Sequence, residues 1–278
     1  MPELPEVETV VRGLRAGGLC GARIVAVELR WPRTFGPDPV AVRRVLTGAT
    51  ILAVGRRGKY IVLDLDGGRR VLLHLRMTGK LRFAAGDEPR GPHDHVRLAL
   101  DDGRLLVFND TRKFGRFALG TPASDPLADL GPEPLGPAFK LPDFARELSR
   151  RGRAIKPLLL DQRLVAGLGN IYVDESLWQA GVHPGRPASS LTADEARALH
   201  GAIRQILARA VRDRGTTLGS GQSNFYSVAG RRGRHADRLN VFRRDGEPCP
   251  RCGTTLARLV VAQRGTHICP ACQRLNHD

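Results

Sequence analysis

The sequence predicts an α+β protein: an N-terminal helix and a β-sandwich, then a helical domain that ends in a cysteine-bearing hairpin. Three observations carry this. Val7, Val10, Val11 and Leu14 recur at i, i+3, i+4, i+7, the spacing that buries one side of a helix. Residues 22–119 alternate apolar and polar positions in short runs broken by glycine-containing turns, as in a sandwich. Beyond residue 142 the period becomes helical until a pair of Cys-x-x-Cys knuckles closes the chain.

The opening stretch, MPELPEVETV, starts the first helix. Pro2 and Pro5 are tolerated because the first turn of a helix needs none of its own amide donors. The strands that follow are expected at Ala22–Arg30, Ala49–Arg56, Lys59–Leu65, Arg70–Arg76, Val96–Leu100, Arg104–Asn109 and Gly115–Leu119. Asp66-Gly67-Gly68 and Asp101-Asp102-Gly103 supply turns between them. Residues 121–142 carry six prolines and no period, and form the expected linker between a domain at 1–120 and another at 143–278. In the second domain, helices are expected at Pro142–Arg151, at Lys156–Gln162 and from Ile171. A long helix, Leu191–Arg214, is announced by Thr192 and Glu195 as a capping box. A glycine-rich segment, Gly215–Gly233, leads to the cysteines.

Composition narrows the function. The chain has 278 residues, 41% of them apolar, enough for one large core or two ordinary ones. It contains no run of about 18 apolar residues and no signal-peptide pattern, so no membrane partner is expected and the default compartment is cytoplasmic. The 44 Lys+Arg against 28 Asp+Glu give a formal net charge of +16 and pI ≈ 10.9, which suits a polyanion such as nucleic acid. Residues 201–278 alone hold 14 arginines and 5 acids, +9 of that total. An arginine-rich genome would also raise the count, since only five of the 44 basic residues are lysine.

Cys249-Pro-Arg-Cys252 and Cys269-Pro-Ala-Cys272, 16 residues apart, have the spacing of a tetrahedral zinc site within a finger at 245–273. Four thiolates leave no open coordination position, so one structural zinc is expected. Two disulfides are the alternative, and nothing marks the chain as secreted. Cys20 is left over. The segments Leu256–Gln263 and His267–Ile268 read as a hairpin with Gln263-Arg264-Gly265-Thr266 at its tip, where an arginine can reach a phosphate or a groove.

Glu3 and Glu6 stand three apart beside the prolines. Favourable interaction with the helix dipole is one explanation. The other begins with removal of Met1, which the small Pro2 permits. The α-amino group so exposed titrates about 2.5 units below a lysine, so roughly a tenth of it is neutral at pH 7. Such an amine is a nucleophile; with a sugar aldehyde a secondary amine gives an iminium, and an adjacent carboxyl moves protons.

With PELPEVET, the two-knuckle finger and Arg264, the sequence resembles the formamidopyrimidine-DNA glycosylase family essentially end to end. The resemblance also rests on Arg57-Gly58-Lys59-Tyr60, His74-Leu75-Arg76-Met77-Thr78-Gly79, His93-Asp94-His95-Val96, Asn109-Asp110-Thr111-Arg112-Lys113-Phe114-Gly115, Gly131-Pro132-Glu133-Pro134-Leu135 and Ile155–Glu175. It implies a bifunctional glycosylase and apurinic/apyrimidinic lyase that extrudes oxidised purines from damaged double-stranded DNA, acting as a bacterial, nucleoid-associated monomer. It also implies a helix–two-turn–helix in the second domain. Pro2 would attack C1′, Glu3 would open the sugar, and Glu6 would hold the site. Lys59 would serve the β-elimination and Arg264 the δ-elimination. Met77, Arg112 and Phe114 match a wedge that fills the vacated stack. Lys156 and Asn170, the latter as an N-cap, match phosphate contacts; His74, His93 and Arg151 match further DNA contacts. Two departures stand out: Arg76 occupies a usual glycine, and residues 215–245 lack the usual glycine–aromatic pattern of the loop that covers an extruded base. Oxidised pyrimidines or abasic sites are the alternative substrates, and a non-catalytic DNA-binding zinc protein is the alternative class.

Overall fold

The computed structural model of the protein describes residues 1–36, 38–120, 125–219, 221 and 224–275. The chain forms two compact units, one of residues 1–128 with 213–236 and one of 129–212 with 237–278.

In the first unit, α1 (Leu4–Ala16) starts with Pro5 in its first turn and buries Val7, Val10, Val11 and Leu14, as the spacing requires. Eight strands follow: β1 (Ile24–Leu29), β2 (Ile51–Arg57), β3 (Tyr60–Leu65), β4 (Arg70–His74), β5 (Lys80–Ala85), β6 (Asp94–Leu100), β7 (Arg104–Asn109) and β8 (Arg116–Leu119). They make two antiparallel sheets, ordered β1-β6-β7-β5 and β2-β3-β4-β8. Val27, Leu98 and Phe108 from one sheet join Ile61, Leu73 and Phe117 from the other and Val11 of α1 in a single core. The sandwich is therefore as expected, with two additions. Strand β5 is not among the expected strands, although Leu81 and Phe83 alternate with Lys80 and Arg82. Helix α2 (Pro39–Leu46) is the other addition; Asp38 caps it by accepting from the Ala41 amide at 2.8 Å. Strand β4 stops at His74, two residues short of expectation, because Arg76 turns into the left-handed region at φ 53°.

The segment 213–236, expected in the second domain, packs with the first unit. Phe225 and Val228 lie against its core, and the Thr216 amide donates to Glu6 Oε1 at 2.7 Å. Val228 sits so close to α1 that a Cβ on Gly13 would come within 3.1 Å of its side chain.

The second unit is built from α3 (Leu141–Ser149), α4 (Ile155–Leu159), α5 (Asn170–Ala180), α6 (Ala193–Arg212) and the hairpin β9 (Ala257–Val261) and β10 (Arg264–Ile268). The anticipated box opens α6: Thr192 N donates to Glu195 Oε2 at 2.8 Å and Glu195 N to Thr192 Oγ1 at 3.2 Å. Helix α4 is shorter than expected and ends at Leu159. Buried Glu175 on α5 accepts from the backbone amides of Asn240, Val241 and Phe242 at 2.9–3.0 Å, which ties the approach to the hairpin onto the helix.

Candidate active site and nucleic-acid interface

The start of α1 is held by its own acids. Pro2, Glu3 and Glu6 are all buried. Glu3 and Glu6 form a capping box in which Glu6 Oε2 accepts from the Glu3 amide at 2.9 Å. The other oxygen, Oε1, takes the Thr216 amide. One carboxylate thus fixes the backbone next to Pro2 and the root of the 213–236 segment. Gly215 is needed there: its φ is +78°, and a Cβ would approach Glu6 Oε1 to 2.7 Å.

Lys59 follows Gly58, whose φ of 54° makes the tight β2–β3 turn, and its side chain is buried. His74 stands across the ladder from Tyr60, edge-on to its ring at 4.7 Å. Burial, together with the Arg76 and Lys59 charges, depresses the His74 pKa to about 3. The imidazole is therefore neutral at physiological pH, and its Nδ1 accepts from the Arg76 amide at 3.0 Å. Arg76 adopts φ 53°, so arginine here takes up the left-handed conformation in which glycine is at ease.

Met77 and Phe114 are large apolar side chains left 41% and 45% exposed. The Arg112 guanidinium lies over the Phe114 ring at 4.8 Å. All three project from loops between strands of the first unit. His93 is only partly buried, and its carbonyl accepts from the Asp110 amide at 3.0 Å.

In the second unit the sequence-derived residues take unequal roles. Lys156 is fully buried. Its Nζ donates to Asp174 Oδ1 at 2.6 Å, Thr266 Oγ1 at 2.8 Å and the Gly265 carbonyl at 3.0 Å, which uses all three ammonium protons within the protein. Asn170 is not the N-cap; Gly169 is. Asn170 is the first helical residue, and its Nδ2 donates to the same Gly265 carbonyl at 2.9 Å. The VAGLG turn leaves the capping position to glycine, which frees the asparagine to reach the hairpin. Both residues thereby grip the backbone next to Arg264. Arg151 pairs with Glu147 one turn back on α3.

Arg264 does not sit at the hairpin tip. It is the first residue of β10, paired with Val261, and the two-residue turn is Ala262-Gln263, at φ 47° and 61°. Two consecutive positive φ values are the signature of a type I′ turn. Arg264 is exposed, and His267 further along β10 donates its amide to Asp174 Oδ2 at 3.0 Å.

Cys249, Cys252, Cys269 and Cys272 bring their sulfurs within 4.8 Å of one another, with Cys252 Sγ at 3.5 Å from Cys269 and 3.4 Å from Cys272. Tetrahedral zinc with four thiolates needs sulfur–sulfur edges of about 3.8 Å, so the residues fit the ion. The amides of Arg251 and Cys272 donate to the sulfurs of Cys249 and Cys269 at 3.4 Å, support suited to thiolates.

Three family models match in succession. Residues 1–117 match the formamidopyrimidine-DNA glycosylase N-terminal domain, 130–221 its H2TH domain, and 246–275 the zinc finger found in FPG and IleRS. A formamidopyrimidine-DNA glycosylase of Roseiflexus sp. (strain RS-1) is 49% identical over 280 residues, covering 99% of this chain and 100% of the relative. The chain belongs to the formamidopyrimidine-DNA glycosylase family. The crystal structure of the family member MutM (FPG) from Thermus thermophilus superposes with a TM-score of 0.89 at 45% identity, covering 99% of this chain and 100% of that one. Lactococcus lactis Fpg in complex with DNA containing an abasic site gives 0.90 at 39% identity, over 98% of this chain and 99% of that one. The same protein bound to Fapy-dG-containing DNA gives 0.89 at 38%, over 98% and 100%. The helix–two-turn–helix and zinc-finger hairpin expected of a formamidopyrimidine-DNA glycosylase are thus both present, and the finger's four cysteines hold one structural zinc.

Sequence reasoning missed the groups that brace this site. Asp174 and Glu175 lie inside a quoted motif that assigns them no role; the structure makes one the anchor of β10 and the other the anchor of 240–242. The available signal was two adjacent acids in an apolar helix, which must find partners if buried. Thr216, which meets Glu6 from 210 residues away, gave no local signal.

Proposed function

We propose that this chain excises oxidised purines, formamidopyrimidines and 8-oxoguanine among them, from double-stranded DNA in base-excision repair, and then cleaves the strand as an abasic-site lyase. Pro2 is the nucleophile once Met1 is removed. Its nitrogen bonds to C1′ as the C1′–base bond breaks, and Glu3 protonates the ring oxygen so that the sugar opens. The product is an iminium, a fixed positive charge that acidifies the C2′ protons. Loss of one of these expels the 3′ phosphate, with Lys59 assisting; a second elimination, assisted by Arg264, expels the 5′ phosphate. Water then hydrolyses the iminium, which returns the proline amine and releases the sugar fragment as an aldehyde.

The observation that carries this reading is the double use of Glu6. A nucleophilic amine at a chain end needs rigid backbone behind it, and Glu6 provides it by binding the Glu3 amide and the Thr216 amide at once. Met77 and Phe114 fill the space of the extruded nucleotide while Arg112 faces the orphaned base. Neutral His74, with His93, Arg151 and the backbone near Lys156 and Asn170, takes the phosphates. The reading places a single chain on the DNA, in the cytoplasm at the nucleoid.

Borohydride trapping tests it. The wild-type protein lacking Met1 is expected to form a covalent adduct with a duplex carrying 8-oxoguanine, and Pro2→Gly, a weaker nucleophile without the secondary amine, to form far less. Absence of any adduct from the wild type on lesion-bearing or abasic duplexes overturns the reading.

A further inference from the structure

Beneath the three exposed wedge side chains lies a buried polar group that the reaction does not use. Asp110 is fully buried and Thr78 nearly so. The Thr78 hydroxyl donates to Asp110 Oδ1. The Arg112 amide points at the same place, 3.2 Å from Asp110 Oδ1 and 3.3 Å from Thr78 Oγ1. Asp110 Oδ2 accepts from the Gly115 amide at 2.7 Å. One carboxylate therefore closes both ends of the Arg112–Phe114 loop and, through Thr78, fastens the loop that carries Met77.

The backbone of Asp110 is held as firmly. Its amide donates to the His93 carbonyl at 3.0 Å, and its own carbonyl faces His95 Nε2 at 2.9 Å. Two glycines let the loops close on this point. A Cβ on Gly79 would meet the Leu75 carbonyl at 2.5 Å and the Phe108 ring at 2.9 Å; one on Gly115 would meet the same ring at 2.3 Å. Phe108 is thus the floor and Asp110–Thr78 the bolt.

We propose that Thr78 and Asp110 are positioning residues that join the Met77 loop and the Arg112–Phe114 loop into one rigid wedge, so that the force needed to unstack a base is not lost in bending the loops. The proposal rests on the glycosylase reading above. Exposed apolar side chains on independent loops would fold back onto the surface; a common buried anchor keeps them proud of it. Unstacking a paired nucleotide costs a few kcal/mol, and only a stiff wedge can hold that against the duplex.

Rigidity matters where a stacked base must be displaced and is irrelevant where there is none. Single-turnover excision of 8-oxoguanine from duplex DNA is therefore expected to fall about tenfold in Thr78→Val, the scale of two lost hydrogen bonds. Borohydride trapping on single-stranded abasic DNA is expected to stay within about twofold of wild type. Thr78→Ser, which keeps the hydroxyl, restores duplex excision. Asp110→Asn, which cannot accept on both oxygens, shows the same split more strongly. A 2-aminopurine beside the lesion is expected to brighten more slowly with Thr78→Val than with wild type. Equal duplex excision by Thr78→Val and wild type overturns the proposal. So does a parallel loss of excision and abasic trapping, which marks general damage to the fold. A wild-type protein that excises no lesion overturns the glycosylase reading itself, a result distinct from either.

Discussion

Replacing Lys156 by methionine removes an ammonium that the structure surrounds completely. The side chain of Lys156 and that of Asp174 are both 0% exposed, with 2.6 Å between Nζ and Oδ1. At an effective dielectric of about 20, two unit charges at this separation attract by roughly 6 kcal/mol before desolvation is counted. Removing one partner of a buried pair leaves the other charge stranded and costs about 3–5 kcal/mol. Asp174 retains its hydrogen bond from the His267 amide, which favours the lower half of that range. Lys156→Met is thus expected to destabilise the protein by about 3 kcal/mol and to lower Tm by about 10 °C. The damage is not confined to stability. The Gly265 carbonyl keeps Asn170 but loses Lys156, so the strand that begins at Arg264 loosens, and strand cleavage at abasic sites should fall even where the variant is folded. The assay is paired thermal unfolding and abasic-duplex cleavage of Lys156→Met, Asp174→Leu and the double variant. Because the partners share one interaction, the double variant should cost far less than the sum of the two. Strict additivity, or a Lys156→Met protein as stable as wild type, refutes the reasoning.

Three other outcomes are expected. Arg76→Gly should raise stability by about 1 kcal/mol, seen as a rise in Tm of a few degrees, because Arg76 holds a left-handed φ of 53° that glycine adopts freely. His74, with a folded pKa of about 3 against 6.5 for the free side chain, takes up a proton less readily when folded. The stability this represents is full above pH 6.5 and is lost as pH falls through that value towards 3. His95 and His183, also pushed down chiefly by burial, act in the same direction. Denaturant titrations of wild type and His74→Asn between pH 7 and 5 should therefore show a shallower pH slope in the variant, the difference approaching about 1.4 kcal/mol per unit. Stripping zinc with a chelator, or replacing Cys249 by alanine, should abolish duplex-DNA binding in gel-shift assays while leaving the 1–128 sandwich folded by circular dichroism, because all four ligands and Arg264 belong to one hairpin unit.

What the sequence made legible was whatever has a short period or a fixed spacing. The apolar stripe of α1, the Thr192–Glu195 box and the paired Cys-x-x-Cys knuckles were each set by neighbours a few residues away, and each stands as expected. Helix α2 was within reach, since Asp38-Pro39 is a cap followed by a first-turn proline; its eight residues are simply fewer than a periodic search rewards. The hairpin turn stands at Ala262-Gln263, the two left-handed positions, and not at residues 263–266; register fixed at a distance by Asp174 and Lys156 overrides turn preference. The same holds for Asn170, whose amide is drawn to Gly265 across 95 residues rather than to its own helix. Segment 213–236 packs with the first unit, which its sequence does not announce, because its anchors, Phe225 and Val228, are two apolar residues in a polar stretch. Membership of the family was readable from the motifs. The bracing by Asp110, Asp174 and Glu175 was not, because a buried acid is identified only by what surrounds it.

The hydrogen bond from Thr216 to Glu6 has a consequence in the life of the molecule rather than in its chemistry. The two residues are separated by 210 positions, and at 5–20 residues per second a ribosome takes about 10–40 s to travel between them. Throughout that interval the beginning of the nascent chain has its prolines and its helix, but lacks the late segment that fastens Glu6. The Glu3 amide can be held early, but the second hold on Glu6, from the Thr216 amide, waits until the chain has grown by a further 210 residues. On the function proposed above, a chain truncated before Thr216 would carry Pro2 without this fastening, so proteins broken off during synthesis would not become loose strand-cleaving agents.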